Sequence, residues 1–149
     1  MNRHHLRIFL GTALLLASAF AGWGWLRPYS WRSDSAARAK VQGVLVSRDE
    51  SYFWVEVHLK VISGQEHDLT KPVFLQTASG KLEPADTTFG GSGEKGTTDL
   101  WFKFWLNETQ ASGPLTLHLN DGALVLKTRQ NLPDSGNGND SRYFTTDQW

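Results

Sequence analysis

The sequence predicts an all-β fold, an antiparallel sandwich of about seven short strands standing behind an N-terminal apolar helix. Three observations carry this. Apolar and polar residues alternate with a period of two through most of residues 41–127. Glycine, proline and serine punctuate the alternating runs at short intervals, and no helical period follows the first 26 residues. A chain of 149 residues has room for one ordinary domain plus appendages, and 40% apolar content with 12% aromatics suits a packed core.

The first element is the apolar helix. Arg3, His4, His5 and Arg7 precede an uncharged run of 19 residues, Ile8–Leu26. As a helix it would reach roughly 28 Å, about the hydrocarbon thickness of a bilayer. Residues 1–26 are therefore either a signal-anchor that keeps the chain in the membrane or a signal peptide. Cleavage would fall near Ala21, since Ala17-Ser18-Ala19 and Ala19-Phe20-Ala21 both meet the small-x-small rule. Retention is favoured because the apolar run continues past Ala21, and Trp23, Trp25, Tyr29 and Trp31, with Arg27 and Arg32 among them, resemble an interfacial belt. Either outcome delivers the rest of the chain out of the cytoplasm.

Charge agrees with that reading. The net charge is zero, but residues 1–40 carry six Lys/Arg against Asp34 alone, and residues 41–149 carry the balancing acidic excess. A basic flank around an apolar segment, followed by an acidic globular part, is the pattern of a membrane protein. No basic stripe interleaved with aromatics occurs in the acidic part, so nucleic acid is not expected as a partner.

Residues 27–39 read as a polar linker, with a helical turn capped by Ser33 or Asp34. The β-domain is expected over residues 40–129. Val41–Ser47 is its first strand, Arg48–Ser51 a turn, and Tyr52–Val61 the longest strand. Lys71-Pro72 opens a strand at Val73–Thr77, which Ser79-Gly80 turns. Short pieces follow near Leu82 and at Asp86–Phe89, then a flexible loop at Gly90–Gly96, then the strand Leu100–Leu106. After the break at Ser112-Gly113-Pro114, Leu115–Asn120 and Ala123–Lys127 form a hairpin about Asp121-Gly122. That turn sets Leu119 opposite Leu124 and Leu117 opposite Leu126, with all the hairpin leucines on one face. Residues 130–149 read as a flexible tail.

W-V-E-V-H-L-K-V (Trp54–Val61), K-P-V-F-L-Q-T-A-S-G (Lys71–Gly80) and G-P-L-T-L-H-L-N-D-G (Gly113–Gly122), behind an apolar segment and a linker, resemble uncharacterised immunoglobulin-like β-sandwich domains of bacterial membrane-anchored extracytoplasmic proteins. The resemblance spans Val41 to Lys127 and implies an Ig-like sandwich in a bacterial cell envelope. It transfers no functional residue. The chain has no cysteine, so it lacks both the inter-sheet disulfide of antibody domains and the lipidated cysteine that anchors many such proteins.

Catalytic chemistry is sparse. Gly90–Thr98 (G-G-S-G-E-K-G-T-T) resembles a phosphate loop, but Lys95 precedes Gly96 and no helix follows. His58 and His118 lie on outward positions of different strands and could approach each other, yet zinc would need further ligands. Glu66 with Asp68, and Glu83 with Asp86, lack the environment of an acid–base pair. Asp134, Asn137, Asn139 and Asp140 miss the calcium-loop spacing. No catalytic residue, metal or cofactor is therefore expected.

The strand D-L-W-F-K-F-W-L (Asp99–Leu106) supplies the functional lead. Leu100, Phe102, Phe104 and Leu106 suffice for a buried face, yet Trp101 and Trp105 stand with Lys103 on the other. Tyr52–Val61 likewise points Trp54 and His58 outward. If the two strands are neighbours, Trp54, His58, Trp101, Lys103 and Trp105 form one aromatic patch, unless the linker near Trp31 or the tail near Tyr143-Phe144 covers it. The expected protein is a non-catalytic, membrane-tethered interaction module that binds a protein partner through this face or a free edge strand. The alternatives are a glycan- or peptidoglycan-binding module using Trp54, Trp101 and Trp105, and a structural envelope component.

Overall fold

The computed structural model describes residues 2–26, 31–135 and 140–149. Its elements are α1 (Arg3–Leu26), a 3-10 turn (Ser35–Ala37), β1 (Ala39–Asp49), β2 (Tyr52–Val61), β3 (Phe74–Thr77), β4 (Gly80–Leu82), β5 (Asp86–Ser92), β6 (Gly96–Asn107), α2 (Glu108–Ser112), β7 (Leu115–Leu119), β8 (Gly122–Lys127) and β9 (Ser141–Phe144). α1 is long and apolar enough to cross a membrane, and no residue of its apolar window is buried in the protein.

The strands form two antiparallel sheets, one of five strands in the order β5-β6-β2-β1-β9 and one of four in the order β4-β3-β7-β8. Alternation explains the core. Phe53, Val55, Val57 and Leu59 of β2 and Leu100, Phe102, Phe104 and Leu106 of β6 point inward. They join Leu75 and the five leucines of β7 and β8 in one buried cluster. Each such side chain contributes about 1.5–3 kcal/mol on burial, so this cluster dominates the stability of the domain.

Nine strands among the described residues exceed the expected seven, and each difference has a local cause. The segment Gly90–Gly96 is mostly ladder rather than loop, because β5 runs on to Ser92 through a bulge at Gly90/Gly91 and leaves only three residues to turn. β6 thereby reaches twelve residues and is longer than β2. The helix α2, which no period announced, is held by a capping box between Asn107 and Gln110. In the linker it is Asp34 that caps the 3-10 turn, accepting from Ala36 N.

The β7–β8 hairpin turns one residue earlier than expected. Asn120 and Asp121 form the loop, Asn120 adopts a φ of 54°, and Leu117 pairs with Leu124. Gly122 is used for close approach instead, since a Cβ there would lie 2.2 Å from Ala37 N. The slip changes partners by two residues and preserves the faces, so the leucines stay inside.

Residues 140–149 do not form a loose tail. The exposed edge of β1 pairs with β9, Val44 opposite Phe144. Trp149 is buried, stacks on Phe144 and donates from Nε1 to Leu126 O at 2.7 Å. Trp31, expected in an interfacial belt, is likewise part of the core cluster. The expectations placed on Arg27 and Tyr29, and on Asn137 and Asn139, fall outside the described residues.

Candidate interaction face

β2 and β6 are hydrogen-bonded neighbours in the middle of the five-stranded sheet. Their register sets Tyr52 opposite Asn107, Trp54 opposite Trp105, Glu56 opposite Lys103, His58 opposite Trp101 and Lys60 opposite Asp99. The five residues singled out from the sequence, Trp54, His58, Trp101, Lys103 and Trp105, therefore share one outer face, and each is half-buried.

The rings pack on one another across the strands. His58 stacks on Trp101, with centroids 4.7 Å apart and planes 7° from parallel. Tyr52 stacks on Trp105 at 4.9 Å, and Trp54 meets Trp105 at 4.2 Å with a 55° tilt. Lys103 Nζ lies 4.7 Å from the centroid of Trp54, a cation–π contact. Parallel rings separated by about the strand spacing must stand upright on the sheet. They turn their faces toward each other and their edges outward.

A polar clamp fixes one end of the ladder. His58 Nε2 lies 2.9 Å from Asp99 Oδ1, and Thr98 Oγ1 donates to Asp99 Oδ2 at 2.7 Å. The Thr98 hydroxyl first, then His58, holds the Asp99 carboxyl below its usual pKa. The resulting carboxylate orients the imidazole against Trp101.

Among the described residues, the rings named as possible covers lie elsewhere than on these aromatics. Trp31 and Phe144 belong to the interior, as above. Tyr143 points outward and is 54% exposed. Its phenol lies over Gly43, where a Cβ would meet the ring at 2.1 Å, and Gly43 is paired with His58. Tyr143 thus widens the patch. The sequence offered the tail near Tyr143-Phe144 as a cover for this face, and Tyr143 does reach it beside His58, whereas Tyr52 continues the alternation of β2.

The other candidates separate. His58 and His118 lie on the outer faces of different sheets, and His118 stacks on Phe74 at 4.5 Å. Among the described residues no group of three or more histidine, aspartate or glutamate side chains could hold a metal ion. A second concavity, which sequence reasoning missed, opens between the edges β4 and β5 and is lined by His67, Leu69, Val73, Glu83 and Phe89. Burial pushes the pKa of His67 down. One further group was unexpected. Lys127 is fully buried, and its Nζ donates to the carbonyls of Ala111, Gly113, Arg129 and Asn131.

These features define an antiparallel two-sheet domain behind an apolar helix, with an aromatic outer face on its larger sheet. Compared with protein families, with curated proteins and with solved structures, the chain matches none.

Proposed function

We propose that this protein is a non-catalytic interaction module of a bacterial cell envelope. In this reading α1 is a retained inner-membrane anchor, and the β-domain, an Ig-like sandwich, stands outside the cytoplasm. The domain recognises a protein partner through the outer face of β2 and β6. The observation that carries the proposal is the ladder of the exposed Tyr52 with the half-buried Trp105, Trp54 and Lys103, and of His58 with Trp101, on a sheet whose core is already complete on its other side. Two ring groups, Tyr52–Trp105–Trp54 and His58–Trp101, separated by the Glu56–Lys103 row and closed at one end by Lys60 and Asp99, suit a protein interface, where indole and phenol rings supply contact area at little cost in side-chain entropy.

The glycan alternative uses the same rings but needs an open indole face on which a sugar can lie. His58, Tyr52 and Lys103 occupy faces of Trp101, Trp105 and Trp54 respectively, and this favours a protein partner. The test is site-specific photo-crosslinking of the full chain in envelope membranes, with the photoreactive group at Thr88, beside Trp101 in the register of β5 and β6. A discrete adduct that disappears with Trp101→Ser and Trp105→Ser, in variants that keep their cooperative melting, is the expected result. An adduct indifferent to those substitutions refutes the assigned face. Shifts in tryptophan emission on adding peptidoglycan fragments would instead favour the glycan reading.

A further inference from the structure

We infer that the end of the β-domain from which the tether emerges rests on the lipid headgroups, so that the bilayer surface is itself a docking partner of this domain. The inference depends on α1 being a retained span, as proposed above. Only residues 27–30 separate Leu26, the end of α1, from Trp31, which belongs to the domain core. Five peptide links reach at most about 18 Å when fully extended. The headgroup layer itself takes up about 5–8 Å of that. A core residue on so short a leash holds the adjoining end of the domain at the membrane surface.

The topology identifies that end. Trp31 leads into the 3-10 turn and the start of β1, where Ala39 pairs with Val61 and Ile62 N donates to Arg38 O. The hairpin tip joins them, since Asp121 N donates to Ala36 O. The loop from Ile62 to Pro72 and the turn between β5 and β6 complete the surface, because β6 begins beyond the Lys60–Asp99 row.

What this end presents suits an interface with lipid. Leu69 is 75% exposed, more than any other large apolar side chain described in the β-domain. Lys71 follows it two residues later, and Lys60 and Lys95 border a neighbouring hollow lined by Ser63, Gln65 and Thr97. An apolar tip can enter the headgroup layer while the Asp68 carboxylate beside it and the Lys71–Asp121 pair stay hydrated and Lys60 and Lys95 meet phosphate. With this end down, β2 and β6 rise from the membrane over eight residues, roughly 26 Å. The aromatic face then looks sideways along the bilayer, toward a partner that is itself held at the membrane.

The chain has no cysteine, so single nitroxide labels can be placed cleanly. The full chain, carrying Leu69→Cys, Ser51→Cys or Leu15→Cys, is labelled and reconstituted in vesicles of phosphatidylethanolamine and phosphatidylglycerol. Power saturation is then read with oxygen and with a water-soluble nickel chelate. Leu69 and Ser51 are both exposed, so neither substitution threatens the fold. The expected result is an oxygen-accessible label at position 15, loss of nickel access at position 69, and full nickel access at position 51, in the opposite turn. A label at 69 as open to nickel as that at 51, while position 15 lies in hydrocarbon, overturns the docking inference alone. A label at 15 outside the hydrocarbon overturns the retained span and the docking together.

Discussion

Gly122 and Ala37 meet backbone to backbone: a Cβ built on Gly122 would lie 2.2 Å from Ala37 N and 2.8 Å from Ala36 C. Gly43 looks equally crowded, with Tyr143 at 2.1 Å, but there the obstacle is the far end of an exposed side chain. The two glycines should therefore respond differently to alanine. Gly122→Ala is expected to destabilise the domain by about 2–3 kcal/mol, because two backbone segments must part. Gly43→Ala is expected to cost less than about 1 kcal/mol, with Tyr143 swinging away. Urea midpoints measure both, and equal losses would show that Tyr143 is not free to move.

Lys127 is the second place where a substitution is informative. Its ammonium lies among four carbonyls, those of Ala111 in α2, Gly113 just after it, Arg129 and Asn131, and no carboxylate faces it among its hydrogen-bond partners. Lys127→Met keeps the stem and strands the carbonyls, at an expected cost of about 3 kcal/mol. Burial pushes the pKa of this ammonium from 10.5 down to about 8. Between about pH 8 and 10.5 the unfolded chain binds more protons than the folded one, so stability rises with pH in that window. The wild-type midpoint, referred to that of Lys127→Met, is expected to climb between about pH 8 and 10.5. A flat difference would mean the carbonyls compensate fully for the lost water.

These two sites also show what was legible in the sequence. The faces of β2 and β6 could be read because eight large apolar residues alternate with polar or aromatic ones, and parity fixes a face whatever the register. The leucine faces of β7 and β8 were legible for the same reason, although the turn was not. Asn120 wins the turn because its side chain bonds to Ala37 O and Asp68 N, contacts from distant parts of the chain. Trp31 and Trp149 are single rings in polar surroundings, and a lone ring has no period to betray its burial. β9 is four residues long, one of them an inward Phe144, and exists because β1 offers an unpaired edge. The aromatic outer face was visible as an excess of tryptophan, but its ladder geometry depended on the pairing of strands about 45 residues apart in the chain.

His67 supplies a pH-dependent prediction of the same sense in the acid range. Its Nδ1 lies 3.1 Å from Asn120 Oδ1, the same oxygen that accepts from Asp68 N at 2.8 Å. An oxygen acceptor makes Nδ1 the protonated nitrogen of a neutral ring. Burial is the leading cause of its lowered pKa. As pH falls below the ordinary histidine value of about 6.5, the unfolded chain takes up this proton before the folded one does. Stability contributed by neutral His67 is therefore present above that value and is lost on acidification toward the folded pKa. Comparing wild type with His67→Gln from neutral to mildly acid pH isolates it. A variant that loses stability as steeply as wild type would assign the acid sensitivity elsewhere.

The ladder itself must stabilise as well as present a surface, and the two roles can be separated. Trp54 and Trp105 touch at 4.2 Å, while Tyr52 and Lys103 stack on their other partners. A double-mutant cycle with Trp54→Ala and Trp105→Ala is expected to give a coupling energy of about 0.5–1.5 kcal/mol, the range for aromatic pairs beyond simple burial. The double variant should still melt cooperatively, because the cluster beneath it, from Phe53 to Leu106, is untouched. Coupling in that range with retained folding leaves the outer rings free to serve a partner, since the fold does not require them. Coupling of several kcal/mol, with collapse of the melting transition, would make the second face a structural layer and move the search for a binding surface to the exposed strand β5.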